Sequence, residues 1–270
     1  HTISFELGNS FGGIRRNLTR GGPVAKSPTF YRYNISYRTD RRKNINAFIR
    51  YGNRNAVDGE YDKSIRTGMN LRPSSQWEIE FDVFTNREFD TDQYVATIVD
   101  PIATNTYGSR YLFTDISTDS EGLTFEASYI KSPKLSFQFF LQPELSNYHY
   151  DGLKEFLNPG QNDFLYYDDN QINQIDDSTI EIDPDANGPA PSFILSSDYI
   201  RGFNFLSLRS NFILKWEYRP GSSLFLVWQQ QRDHFEVTDN DLNLNDGFEK
   251  LIDSQSVNTF MVKFAYWLSS

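Results

Sequence analysis

Strict alternation of apolar and polar residues, repeated in segment after segment, is the feature that most restricts this chain. A period of two is the period of a β-strand with two different faces. From Leu206 to Tyr218 one face reads Leu206, Leu208, Ser210, Phe212, Leu214, Trp216, Tyr218. The other reads Ser207, Arg209, Asn211, Ile213, Lys215, Glu217. Trp77, Ile79, Phe81 and Val83 alternate in the same way with Glu78, Glu80, Asp82 and Phe84. Ten such strands are expected, near residues 1–8, 29–39, 44–54, 61–72, 76–87, 110–131, 134–146, 202–218, 222–235 and 256–268.

The connections alternate between short (40–43, 73–75, 132–133, 219–221) and long (9–28, 55–60, 88–109, 147–201, 236–255). That asymmetry belongs to transmembrane β-barrels, with tight periplasmic turns and long outer loops. It requires 110–131 to be one strand, projecting above the membrane where Asp115, Asp119 and Glu121 interrupt its apolar face. The last strand would then run inward and end at residues 268–270.

A soluble β-sandwich alternates too. Two features favour the barrel. Most segments reach the ~10 residues that a tilted strand needs to cross a bilayer. Charges also stand in mid-strand on the polar faces: Arg32, Arg50, Arg66, Glu78, Glu80, Asp82, Arg209, Lys215, Glu217 and Lys263. In a barrel these would face a polar lumen, where pairing offsets the cost of a buried ion. The expected fold is therefore an all-β antiparallel outer-membrane barrel occupying residues 1–270, of about ten strands, standing alone or as part of a larger barrel. It would sit in outer-membrane lipid, with its long loops outside the cell.

Charge supports one division of the chain. The formal charge is −10, with 36 acidic and 26 basic residues. Residues 147–200 hold eleven acids against Lys154 alone, 1 − 11 = −10, so the remaining residues sum to zero. The acidity belongs to one long loop, 147–201, expected to be extracellular. A net acidic chain argues against nucleic acid as a partner. The absence of cysteine removes disulfides, thiolate metal sites and cysteine nucleophiles.

Specific stretches resemble one known family. They include Thr19-Arg20-Gly21-Gly22-Pro23, Leu71-Arg72-Pro73-Ser74, Gln93-Tyr94-Val95-Ala96-Thr97 and Asp183-Pro184-Asp185-Ala186-Asn187-Gly188-Pro189. They also include 214–222 and 262–268. The chain is similar to the C-terminal region of uncharacterised outer-membrane proteins common in Bacteroidota. Their N-terminal sandwich resembles a family-nine carbohydrate-binding module. The resemblance implies that the sandwich and the first barrel strands are missing here. It brings no catalytic residues.

Motifs for chemistry are sparse. Asp183, Asp185 and Asn187, followed by Gly188, have the start of a calcium loop, but its twelfth position is Ile194 rather than an acid. Calcium is thus a possible ligand and no other cofactor is expected. His149 and His234, with Asp151 and Asp233 nearby, would suit a rim hydrolase only if they converged, and exposed rim histidines are the simpler reading. The expectation is a non-enzymatic channel or a scaffold for other envelope proteins. The alternative is a glycan-binding or glycan-processing surface protein using Phe164, Tyr166 and Tyr167.

Overall fold

The computed structural model describes residues 1–268. Ten antiparallel strands follow one another in the sheet in chain order. They are β1 (Thr2–Ser10), β2 (Phe30–Arg38), β3 (Ile45–Ala56), β4 (Tyr61–Leu71), β5 (Trp77–Val99) and β6 (Ser109–Ser132). Then come β7 (Leu135–Phe156), β8 (Phe203–Arg219), β9 (Ser222–Val237) and β10 (Ser256–Ala265). A short strand, Phe164–Tyr166, pairs with the end of β7. Of the expected terminus, Ser269 and Ser270 lie outside the described residues.

The sheet is a meander with nearest-neighbour pairing only. The expected closure into a barrel is not made among the described residues. β1 pairs only with β2, and β10 only with β9, which leaves two free edges. Ladder hydrogen bonding needs a partner strand, and neither edge finds one among the described residues.

The short turns occur where expected. Gly221 takes a φ of +76° between β8 and β9, a conformation that favours a residue without Cβ. The segment around Asp115, Asp119 and Glu121 is indeed one strand, β6.

The long connections differ from expectation in three ways. β5 continues to Val99 and β7 to Phe156, so much of 88–109 and the start of 147–201 are strand rather than loop. Register shifts at Asp90/Gln93, Tyr94/Ala96 and Phe113/Asp115 break the period of two there. The rest of the acidic segment carries its own three-stranded sheet, Ile172–Asp176, Thr179–Ile182 and Phe193–Ser196. Finally, a helix α1 (Leu244–Asp253) forms within 236–255, which was expected to be a loop. Asn243 caps it by accepting from the N–H groups of Asn245 and Asp246.

Buried residues gather on this long-loop half. Val95, Leu112 and Leu153 pack against Ile180, Ile182 and Leu195 of the small sheet. Phe113, Tyr111 and Phe156 pack against Leu18 and Ala25 from the β1–β2 connection. Extended β5–β7 is thus covered by two packed clusters.

Candidate functional site: the two faces of the sheet

Register decides which residues share a face. Phe81 lies opposite Met69 on one side and Phe125 on the other. Phe125 lies opposite Leu141, and Phe139 lies opposite Ala127 and Phe212. Phe212 in turn lies opposite Trp228, and Trp228 opposite Phe260. Toward the other edge Met69 lies opposite Ala47, and two residues along Ile49 lies opposite Thr67 and leads through Tyr37 to Ile3. An apolar band, stepped by two residues between neighbouring rows, therefore crosses all ten strands. Its exposed members include Ile3, Phe5, Ile49, Met69, Phe81, Leu226, Val262 and Phe264.

The band is about eight residues tall, roughly 26 Å along a strand at ~3.3 Å per residue. At its short-turn end, Trp77 stacks on Tyr129 at 4.5 Å between ring centres. Above Val83 and Leu123 the same face turns polar, first at Glu121 and then at an Arg87–Asp119 ion pair of 3.2 Å.

All ten charged residues expected to share a face do so. Alternation along the paired strands puts Arg32, Arg50, Arg66, Glu78, Glu80 and Asp82 together, with Arg209, Lys215, Glu217 and Lys263. This face is concave. It holds a groove of about 620 Å³ lined by Glu6, Asn34, Arg50, Ser64, Arg66 and Asn86, among others.

The expected ladder forms only in part. Arg66 donates to Asp82 at 3.2 Å, and Arg72 donates to Glu78 at 2.7 Å. Glu80 accepts from Asn70 at 2.7 Å rather than from an arginine. Arg50 lies opposite Arg66, not an acid, and sits over the Phe48 ring at 5.0 Å. Lys215 and Lys263 both approach the Phe225 ring, at 5.7 and 6.0 Å. Sequence parity located the face; it could not show which cations would settle on rings.

Gly68 permits the closest approach in this face. A Cβ there would lie 2.4 Å from Asp82 Oδ1 and 2.8 Å from the Phe81 carbonyl. Arginines concentrate on β2–β4 (Arg32, Arg38, Arg50, Arg54, Arg66), whereas β5–β7 present Glu78, Glu80, Asp82, Glu126 and Glu144. The concave face thus has a basic side and an acidic side.

Two polar clusters above the band escaped sequence reasoning, since their members are far apart in the chain. Arg110 donates to Asp100 at 2.7 Å and to Glu155 at 2.6 Å, and the Tyr167 hydroxyl donates to Glu155 at 2.8 Å. Burial opposes the Arg110 charge, yet Glu155 and Asp100 raise its pKa on balance. Burial, then Glu155, pushes the Tyr167 hydroxyl up, so it remains a donor. The second cluster surrounds Glu60 in the β3–β4 turn. Burial, followed by Asp90, Asp58 and Asp92, raises Glu60 to about 7. Arg15 and Arg54, at 3.9 and 3.7 Å, pull the other way.

The remaining chemical motifs are used internally. Asp183 accepts from the Asn187 N–H at 2.8 Å, and Asp185 from the Gly188 and Ala190 N–H groups at 3.0 and 2.8 Å. The calcium-like segment is thus a self-capped turn, with Ala186 and Asn187 at positive φ. Among the described residues, no three His, Asp or Glu side chains converge as a metal site. His149 pairs with Asp241 at 2.6 Å and His234 approaches Glu236 at 3.8 Å. Neither meets the aspartate nearest it in sequence, and the two histidines lie at different levels of the sheet. Phe164 and Tyr166 both lie over the ammonium of buried Lys154, and Tyr166 also bonds Asp115. These rings are occupied within the loop.

Fold and faces define an all-β protein built on one two-faced antiparallel sheet. The chain belongs to the family described as Domain of unknown function (DUF5916), which matches residues 16–269. No curated protein matches the sequence. A similar solved structure is BauA, the ferric preacinetobactin receptor of Acinetobacter baumannii, with 12% identity and a TM-score of 0.38. The match covers 87% of this chain and 42% of that receptor, so the chain spans under half the receptor's length.

Proposed function

We propose that this chain is a non-enzymatic section of the wall of a bacterial outer-membrane β-barrel, with its polar concave face toward a water-filled passage. One observation carries the reading: an unbroken apolar band crosses ten strands on one face while ten mid-strand charges occupy the other. A soluble sandwich buries its apolar faces against a second sheet. Here much of the band is exposed. At a strand tilt of ~40° its length corresponds to roughly 20 Å of depth, a little less than the ~25 Å apolar belt of outer-membrane barrels. Trp77, Tyr129 and Trp216 at the short-turn end suit an aromatic girdle.

The free edges extend the proposal. Unpaired backbone groups are costly in hydrocarbon, which forces membrane sheets to close. Further strands beside β1 and β10 would complete the wall. The packed long-loop half, with its acidic small sheet, would then stand outside the cell.

The test is conductance of the purified full-length protein in planar bilayers. An aqueous passage lined by the basic side predicts that an Arg50→Ala, Arg66→Ala double variant shifts selectivity toward cations. Glu80→Ala shifts it toward anions. Conductance with selectivity indifferent to these changes would remove the concave face from the passage. No conductance, with other envelope proteins co-purifying in fixed ratio, would support a scaffold instead.

A further inference from the structure

The helix α1 lies on the apolar-band side of the sheet, not on the concave side. Every sheet residue it meets belongs to that side. Leu251 is buried with Leu145, Leu206 and Leu208, while Leu141 and Leu242 pack against the group. The Gly247 position lies so close to Leu206 that a Cβ would approach its Cδ2 to 2.7 Å. Arg232, on the same face of β9, donates to the carbonyls of Leu251, Ile252 and Ser254 at the helix C-terminus. The preceding loop is fixed likewise: Asn147 donates to the Leu242 carbonyl at 3.1 Å, and Asn204 to that of Asn240 at 2.9 Å.

Those anchors set the slope of the helix. Its N-terminal side is tied at the level of Asn147 and Asn204, which are register partners. Its C-terminal end is held by Arg232, opposite Leu208, four residues nearer the band. α1 therefore descends obliquely and ends just above Trp228 and Phe260. It covers the part of the apolar face on β7 and β8 that rises beyond the band.

Its flanks differ. Gly247 and Leu251 face the sheet. Lys250 reaches Glu236, which lies opposite Asn204 at the upper level, so that flank points away from the band. At 100° per residue, Phe248 and Ile252 occupy the opposite flank. This flank points toward the band, and both residues are exposed, at 44% and 52%. Glu249 and Asp253 are exposed on the side away from the sheet, whereas Asn245, seven residues before Ile252, shares that residue's flank at the upper end of the helix.

We propose that α1 is an interfacial helix, seated on the outer rim of the apolar band with Phe248 and Ile252 in the lipid surface. The occupant of the exposed flank is thus lipid, not a protein. This rests on the membrane reading above. Continuity carries it: on β7 the apolar face runs from the band through Leu141, Pro143 and Leu145 up to the helix, while on β8 and β9 single polar residues, Ser210 and Gln230, lie between. A short helix with one apolar and one charged flank suits the headgroup boundary, burying its apolar side ~5–10 Å deep.

These 270 residues hold no cysteine, so with any cysteine elsewhere in the full-length protein replaced by serine, single nitroxide labels report one position each. The full-length protein, reconstituted in phosphatidylcholine vesicles, would carry Phe248→Cys, Ile252→Cys, Glu249→Cys or Asp253→Cys. Phe81→Cys and Leu226→Cys provide band references. Collision rates with oxygen and with a water-soluble nickel chelate give the depth of each label. The expected result is a several-fold higher oxygen-to-nickel ratio at 248 and 252 than at 249 and 253, approaching the band values. Equal, water-like ratios at all four helix positions, with lipid-like ratios at 81 and 226, would overturn the interfacial helix and leave the barrel standing. Water-like ratios at 81 and 226 as well would overturn both.

Discussion

Glu60→Gln should stabilise the protein at alkaline pH and do little at acid pH. Glu60 is 7% exposed and is surrounded by Asp58, Asp90 and Asp92. Burial first, then these neighbours, raises its pKa from the ordinary 4.5 to about 7. Because the folded pKa is the higher one, the folded protein holds this proton where the unfolded chain has already lost it. Stability therefore falls as pH rises from about 4.5 to about 7, and is level beyond. At ~1.4 kcal/mol per pKa unit, the full displacement is about 3 kcal/mol. Partly exposed Arg15 and Arg54 and nearby water screen the charge, leaving about 2 kcal/mol. Glutamine keeps the size of the side chain and a partner for the Thr91 hydroxyl, but carries no charge. Urea unfolding in detergent micelles, followed by tryptophan fluorescence from pH 4 to pH 9, measures the difference. The variant's advantage should open between pH 4.5 and 7 and then stay constant. A gap that is constant across the whole range would refute the reasoning, since no proton would then separate the folded from the unfolded Glu60.

Two further outcomes use the same assay. Arg110→Met leaves Asp100 and Glu155 buried without their cation, and should cost about 3–5 kcal/mol. A variant within 1 kcal/mol of wild type would mean that water replaces the guanidinium. Gly68→Val places carbon atoms against the Phe81 carbonyl and the Asp82 carboxylate, and should cost about 1–3 kcal/mol while displacing Asp82 from Arg66. An unchanged midpoint would show that β4 and β5 separate freely at this point.

What the sequence disclosed followed the period of two. Arg32, Arg50, Arg66, Glu78 and Lys263 were assigned to one face because parity survives any error in strand ends. β6 was recognised as one strand despite Asp115, Asp119 and Glu121, because the alternating connections required it. Where parity breaks, reading failed. Beyond Arg87, β5 changes register twice and packs residues on both faces, so its pattern became that of a buried run. Gly152, at φ +63°, marks the corresponding irregularity in β7. α1 was hidden in an acidic, glycine-containing stretch, although Asn243 with Asp246 three residues on was a usable start signal. The Arg110–Glu155 pair spans 45 positions, and nothing local announces it. Closure of the sheet was expected from strand count and turn asymmetry, yet neither fixes whether the first and last strands meet.

In the proposed barrel wall, the prolongation of β5 to β7 has a consequence for anything approaching from outside. About a dozen residues past Arg87, at ~3.3 Å each, carry the strands roughly 40 Å along their length beyond the band. Nine of the eleven acids that account for the excess of negative charge lie past β7, in residues 157–200, whose small sheet packs on Val95, Leu112 and Leu153 of this pier. A solute would meet that charge well before it met any constriction, several screening lengths away from the arginines below. Sorting by sign would come first and sorting by size second, as in an antechamber whose door is set apart from the inner one.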